Sequence, residues 1–140
     1  MFQPNLTAVL VAGVVYFIVG MLWYSILFGK QWLDAINIKM EDLNPPKPAT
    51  MGGVFVAGLL TAYILAHIVE YGITYTNYGG VAGGMTAAFW VWLGGIALPG
   101  IHGVVYENRT WKLYAINMGH YFVAYLAMGG ILGFWRLSQI

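Results

Sequence analysis

Four stretches of the chain contain no Asp, Glu, Lys or Arg, and each is long enough to cross a lipid bilayer: Phe2–Gly29, Pro48–Val69, Tyr71–Tyr106 and Leu113–Trp135. A spanning helix needs about 20 apolar residues, because each residue advances it ~1.5 Å against a hydrocarbon core ~30 Å thick. The chain therefore reads as an all-α integral membrane protein. The expected architecture is a bundle of four transmembrane helices, at about residues 5–28, 49–71, 81–105 and 111–135, in a single membrane domain over 1–140.

Composition narrows the function classes. Only 8% of the 140 residues are charged and mean hydropathy is +0.71, whereas a soluble domain carries about a quarter charged residues. Four spans use up nearly the whole chain and leave no room for a soluble catalytic domain. A net charge of +1 argues against a nucleic-acid partner. The absence of cysteine excludes disulfides, thiolate metal sites and cysteine nucleophiles. The first span is expected to be retained, since it lacks a basic leader and outruns a signal's apolar core. No lipidation motif is expected at either end.

The only substantial loop runs from Lys30 to Thr50. Within it Trp32, Leu33, Ile36, Met40 and Leu43 recur at helical spacing, while Asp34, Asn37, Glu41 and Asp42 fall mostly elsewhere on the wheel. That pattern predicts a short amphipathic helix lying at the membrane surface between the first two spans. The prolines of Asn44-Pro45-Pro46-Lys47-Pro48 end it. Gly72–Gly80 is expected to be a short, uncharged, tyrosine-bearing connection at the interface. Basic residues set the orientation: Lys30, Lys39, Lys47, Arg109 and Lys112 collect on one side and Arg136 alone on the other. The positive-inside rule puts the first side in the cytoplasm and both termini outside it. The expected location is a bacterial or archaeal cytoplasmic membrane.

Two segments resemble a known family. The first is Val15-Tyr16-Phe17-Ile18-Val19-Gly20-Met21-Leu22-Trp23-Tyr24-Ser25, followed by Phe28-Gly29-Lys30-Gln31-Trp32. The second is Trp111-Lys112-Leu113-Tyr114-Ala115-Ile116-Asn117, with Gly130-Ile131-Leu132-Gly133-Phe134-Trp135 closing it. Together they resemble the domain of unknown function 1761 family of small membrane proteins. Many members have proline after the serine, where this chain has Ile26. The resemblance implies a four-helix membrane domain and supplies no substrate, reaction or site.

Ionisable groups inside a membrane are costly and mark candidate functional positions. His67 and Glu70 lie three apart on the second span, His102 lies three after Pro99 on the third, and Asn117 and His120 lie three apart on the fourth. Residues three or four apart share a helix face. A shared metal or haem is disfavoured by depth. His67 sits about 24 Å from the inner end of its span, against about 5 and 11 Å for His102 and His120. Zinc needs three or four ligands. The site residues expected include no metal ligand and no catalytic residue, and no motif names a cofactor.

Glu70 opposes the helix dipole near the outer end of the second span. An outer-rim ion pair with Arg136 or with His67 would offset this. At the inner side, Tyr24, Ser25, His102, Asn117 and His120 form a candidate ligand pocket beside a third span that Pro99 should bend near Gly95. The plainer reading of these polar groups is interhelical hydrogen bonding, worth roughly 0.6 kcal/mol per contact.

Small residues recur at four-residue spacing: Gly79 with Gly83, Gly80 with Gly84, Gly58 with Ala62 and Ala66, Ala115 with Gly119, and Gly129 with Gly133. Such spacing lets helix backbones approach closely in lipid. So many seams suggest a second copy or a partner helix. The sequence thus points first to a non-enzymatic membrane protein in contact with the lipid bilayer. It would work as a homo-oligomer, or as a small accessory subunit of a larger membrane complex. The alternative is a small-solute or proton-coupled transporter or channel with a cytoplasm-facing polar pocket. An intramembrane enzyme acting on lipid or quinone finds no nucleophile–base pair or paired carboxylates. The orientation is checked by cysteine scanning of this cysteine-free chain. A cysteine at position 109 should react only with reagent supplied from the cytoplasmic side, and one at position 3 only from the opposite side.

Overall fold

The computed structural model describes residues 2–137, and every element among them is helical. Helix α1 (Leu6–Leu22) starts where the Asn5 side chain accepts hydrogen bonds from the Thr7 and Ala8 amides at 2.9 and 3.1 Å. That cap satisfies two of the amides that a helix start leaves open. A π-helical turn, Trp23–Leu27, continues α1. Short α2 (Gly29–Ala35) follows, then a 3₁₀ turn at Met40–Asp42. Next come α3 (Pro48–Thr76) and α4 (Gly80–Trp92), a second π-helical turn (Leu93–Ala97), α5 (Leu98–Tyr106) and α6 (Trp111–Leu137). Four spans among the described residues are long and apolar enough to cross a membrane: Leu6–Leu27, Pro48–Thr76, Gly80–Tyr106 and Trp111–Arg136. The protein is an all-α, four-span membrane bundle.

Three local features differ from the sequence reading. The loop helix is shorter than its apolar stripe implies. It stops at Ala35 because Asn37 turns the chain into the left-handed region at φ 57°. Leu33 is buried and α2 leans on α6, while Met40 and Leu43 on the far side of the break are exposed. The second span runs on past Tyr71 to Thr76, so the expected Gly72–Gly80 connection shrinks to Asn77, Tyr78 and Gly79. Burial of Ile73 extends the helix, Thr76 Oγ1 donates to the Gly72 carbonyl at 2.7 Å, and Asn77 ends it at φ 54°. In the third span the irregularity before Pro99 is a widened turn. The Leu98 amide bonds back five residues to the Leu93 carbonyl, and Pro99, which has no amide hydrogen, lies in the first turn of α5.

Helix α6 is the most enclosed span, and its closest neighbour is α4. Glycines make that approach possible. A Cβ on Gly84 would collide with the Gly129 carbonyl oxygen, and one on Gly133 with the Gly80 carbonyl oxygen. A second seam joins α1 to α3, where Gly58 accepts the Tyr16 ring and Gly13 the Leu59 side chain. Ala8, Ala12, Ala62, Leu65, Val69 and Met128 form the buried centre between these seams. Gly52, Gly53, Gly94 and Gly95, by contrast, face open space.

That contrast gives a paired test. Gly84→Ala forces α4 and α6 apart and should destabilise the protein by about 1–3 kcal/mol, as overpacking does. Gly94→Ala should leave thermal unfolding in detergent unchanged or raise it slightly.

Candidate functional site

The π-helical turn at the end of α1 places two aromatic side chains against α6. A π turn inserts one residue and changes the direction of the residues after it. The Phe28 amide accordingly bonds to the Trp23 carbonyl, five residues back, at 2.8 Å. Trp23 Nε1 donates to the Ile116 carbonyl at 2.9 Å, and Tyr24 Oη donates to Asn117 Oδ1 at 2.8 Å. Phe28 packs on the Trp23 ring with centroids 4.5 Å apart, and Trp32 meets the Tyr24 ring edge-on at 5.3 Å. Gly29 must be glycine for this corner to close, because a Cβ there would lie 2.9 Å from the Tyr24 carbonyl oxygen. From the other side, Trp92 Nε1 donates to the Met118 carbonyl at 3.0 Å, and Tyr114 Oη donates to the Ala97 carbonyl at 2.6 Å.

His120 lies on α6 one turn beyond this clamp. It is 5% exposed, and neither ring nitrogen has a hydrogen-bond partner among the described residues. Aromatic rings of Tyr121, Tyr24, Tyr16 and Trp23 surround it, with centroids at 4.9, 5.2, 5.8 and 6.4 Å. Beside it lies a cavity of about 340 Å³ between three spans. Tyr16, Gly20 and Met21 of α1, Met51 and Val54 of α3, and His120 of α6 shape it, and none of its lining residues is charged. A Cβ on Gly20 would lie 3.3 Å from Nε2, so this buried nitrogen abuts a lining residue without a side chain.

Of the residues that the sequence singled out for this pocket, the structure brings Tyr24, Asn117 and His120 together. Tyr24 and His120 line the cavity, and Asn117 holds the Tyr24 hydroxyl. Ser25 is exposed and donates to the Met21 carbonyl. His102 is exposed and packs edge-on against Tyr106 at 5.4 Å. Neither lines the cavity. His102 falls away because it sits on the separate α5 segment. The wall residues Gly20, Met51 and Val54 carry no chemical signal of their own, and only their spacing from Tyr24 and Pro48 could have pointed to them. Among the described residues no three His, Asp or Glu side chains gather as a metal site.

At the opposite end of the bundle Arg136 Nε lies 2.7 Å from Glu70 Oε2. Thr74, which the sequence reading missed, completes the group: Arg136 Nη2 donates to its hydroxyl at 3.1 Å, and that hydroxyl donates to Glu70 Oε1 at 3.2 Å. His67 stays apart. Its Nδ1 donates to the Tyr63 carbonyl at 3.0 Å, and its ring lies between those of Phe2 and Tyr63. The signal for Thr74 was its position four residues after Glu70, masked by reading that stretch as a loop.

A family model described as "Protein of unknown function (DUF1761)" matches residues 7–133. No curated protein matches the chain, and no solved structure does.

The rim pair yields a double-mutant test. Its two side chains are 27% and 19% exposed, so removing one leaves a mostly buried charge unpaired. Glu70→Leu or Arg136→Leu alone should each destabilise by about 1–3 kcal/mol. The double variant should lose less than the sum, read from thermal melts in detergent.

Proposed function

The chain belongs to the DUF1761 family, and we propose that it is a non-enzymatic membrane module that binds a small, mostly apolar molecule in the cavity between α1, α3 and α6. One observation carries this reading. His120 is buried beside that cavity with both ring nitrogens unpartnered. An unsatisfied buried polar group costs about 1–3 kcal/mol, and leucine at that place would avoid the cost. A group of this kind at the edge of an apolar cavity is what an orienting contact for a ligand requires.

The packing supports this reading over one based on assembly alone. The seams at Gly80, Gly84, Gly129 and Gly133, and at Gly13 and Gly58, close within the chain and leave fewer small-residue faces for a partner helix. An ion or charged solute is disfavoured because no Asp, Glu, Lys or Arg lines the cavity to balance its charge. Met51 and Val54 lie just after Pro48, and Tyr24 lies just before Lys30, so the cavity sits toward the basic loops. The positive-inside rule puts that end in the cytoplasmic half of the membrane. Transport would require this same molecule to leave on the other side, and the Glu70–Arg136–Thr74 group closes part of that face.

The test is native mass spectrometry of the protein purified in mild detergent. The wild type should carry an adduct of a few hundred daltons, consistent with the size of a drug-like ligand site. His120→Leu should lose the adduct and melt at the same temperature or higher. A His120→Leu protein that melts several degrees lower, with the adduct retained, would overturn the reading and return His120 to a packing role.

A further inference from the structure

We propose that the cavity selects a neutral apolar molecule bearing a hydroxyl group, an alcohol or a phenol, with that hydroxyl bound to His120. The proposal rests on the reading of the cavity as a binding site and adds the chemical class of its occupant.

The class follows from what surrounds the imidazole. A neutral imidazole offers one donor and one acceptor. Tyr24 is not the missing partner: its hydroxyl donates to Asn117, and neither imidazole nitrogen has a hydrogen-bond partner among the described residues. A ligand hydroxyl both donates and accepts, so it satisfies Nε2 whichever tautomer is present. A carboxylate or phosphate only accepts, and an ammonium only donates. Either charge would enter a cavity with no charged lining residue to balance it, and a buried unpaired charge is far more costly than a buried hydroxyl. A ketone or ester only accepts, so it satisfies a protonated Nε2 and leaves the other tautomer unmatched. The remaining walls are aromatic and aliphatic, from Tyr16, Phe17, Met21, Met51 and Val54. They suit a ring or an alkyl chain and offer the hydroxyl no rival charged partner.

Gly20 sets the approach to Nε2. A methyl group on it would lie 3.3 Å from that nitrogen and crowd the side from which a hydroxyl oxygen would reach it. Gly20→Ala therefore keeps His120 and removes the approach.

The experiment uses the full chain in phosphatidylcholine nanodiscs, with histidine labelled by ¹⁵N in the ring. The probes are 1-decanol, decane, decanoate and decylamine at equal mole fractions in the lipid. Decanol should shift the His120 ring resonances saturably and leave those of His67 and His102 in place. Its half-saturation should fall at about one-tenth the mole fraction of any other probe, the factor expected of one net hydrogen bond. Gly20→Ala should remove that preference while the His67 and His102 resonances report an intact fold. If decane and decanol saturate alike, hydroxyl selection is wrong and the apolar binding site stands. If decanoate binds as well as decanol, His120 acts as a cation and the neutral class is wrong. If no probe saturates, both the class and the site are wrong.

Discussion

Hydrogen bonds from two indole groups to the backbone of α6 hold the half of the bundle nearer the basic loops. Trp23 reaches the Ile116 carbonyl from α1, and Trp92 reaches the Met118 carbonyl from α4. In a bilayer no hydrophobic force gathers helices, so association rests on close packing and on polar contacts of this kind, each worth about 0.6 kcal/mol and rarely above ~1.7. The two bonds approach α6 from different neighbours and land two residues apart. At the other end glycines replace side chains as the means of contact, and the backbones of α4 and α6 touch at Gly84 and Gly129. The candidate cavity lies where the indole clamp ends and before the glycine seam begins.

The two sequence segments that carry the family resemblance meet in space. Trp23 and Tyr24 from the first bond to Ile116 and Asn117 of the second. Phe28, Gly29 and Trp32 shape the corner that presents them. Gly133, near the end of the second segment, packs against Gly80. The Leu-Trp-Tyr-Ser and Phe-Gly-Lys pairing is thus a structural joint before it is anything else. His120 is not among the residues that carry the resemblance and makes no hydrogen bond in the joint, which separates the groups that build the bundle from the group that the bundle leaves unpaired.

The four spans were legible because charge is excluded from lipid, and the absence of Asp, Glu, Lys and Arg marks such segments directly. The closeness of Glu70 and Arg136 was legible for the same reason, since two isolated charges at one membrane face have few other partners. The extent of α3 was not, because glycine and tyrosine at 71–80 read as a turn until Ile73 is seen to be buried and Thr74 to meet Arg136. The π turns had no local signal apart from Pro99, so the side-chain directions beyond them could not be set by counting residues on a wheel. That is why Ser25 and His102, placed near His120 by depth alone, point elsewhere. Depth along a span follows from residue number, but the face a residue presents depends on every irregularity before it.

A Cβ on Gly52 or Gly53 at the start of α3 would meet open space. Next to them, Met51 and Val54 form one wall of the cavity. Its other two walls belong to α1 and α6, which are tied to each other through Trp23 and Tyr24. The third wall, from α3, meets α1 through the Phe17–Phe55 ring contact at 5.7 Å and the seat of the Tyr16 ring at Gly58. Met21 and Val54 on the rim of the cavity are exposed on the side of the bundle that lipid covers. A lipid-soluble guest would therefore come in sideways, from the membrane itself rather than from water.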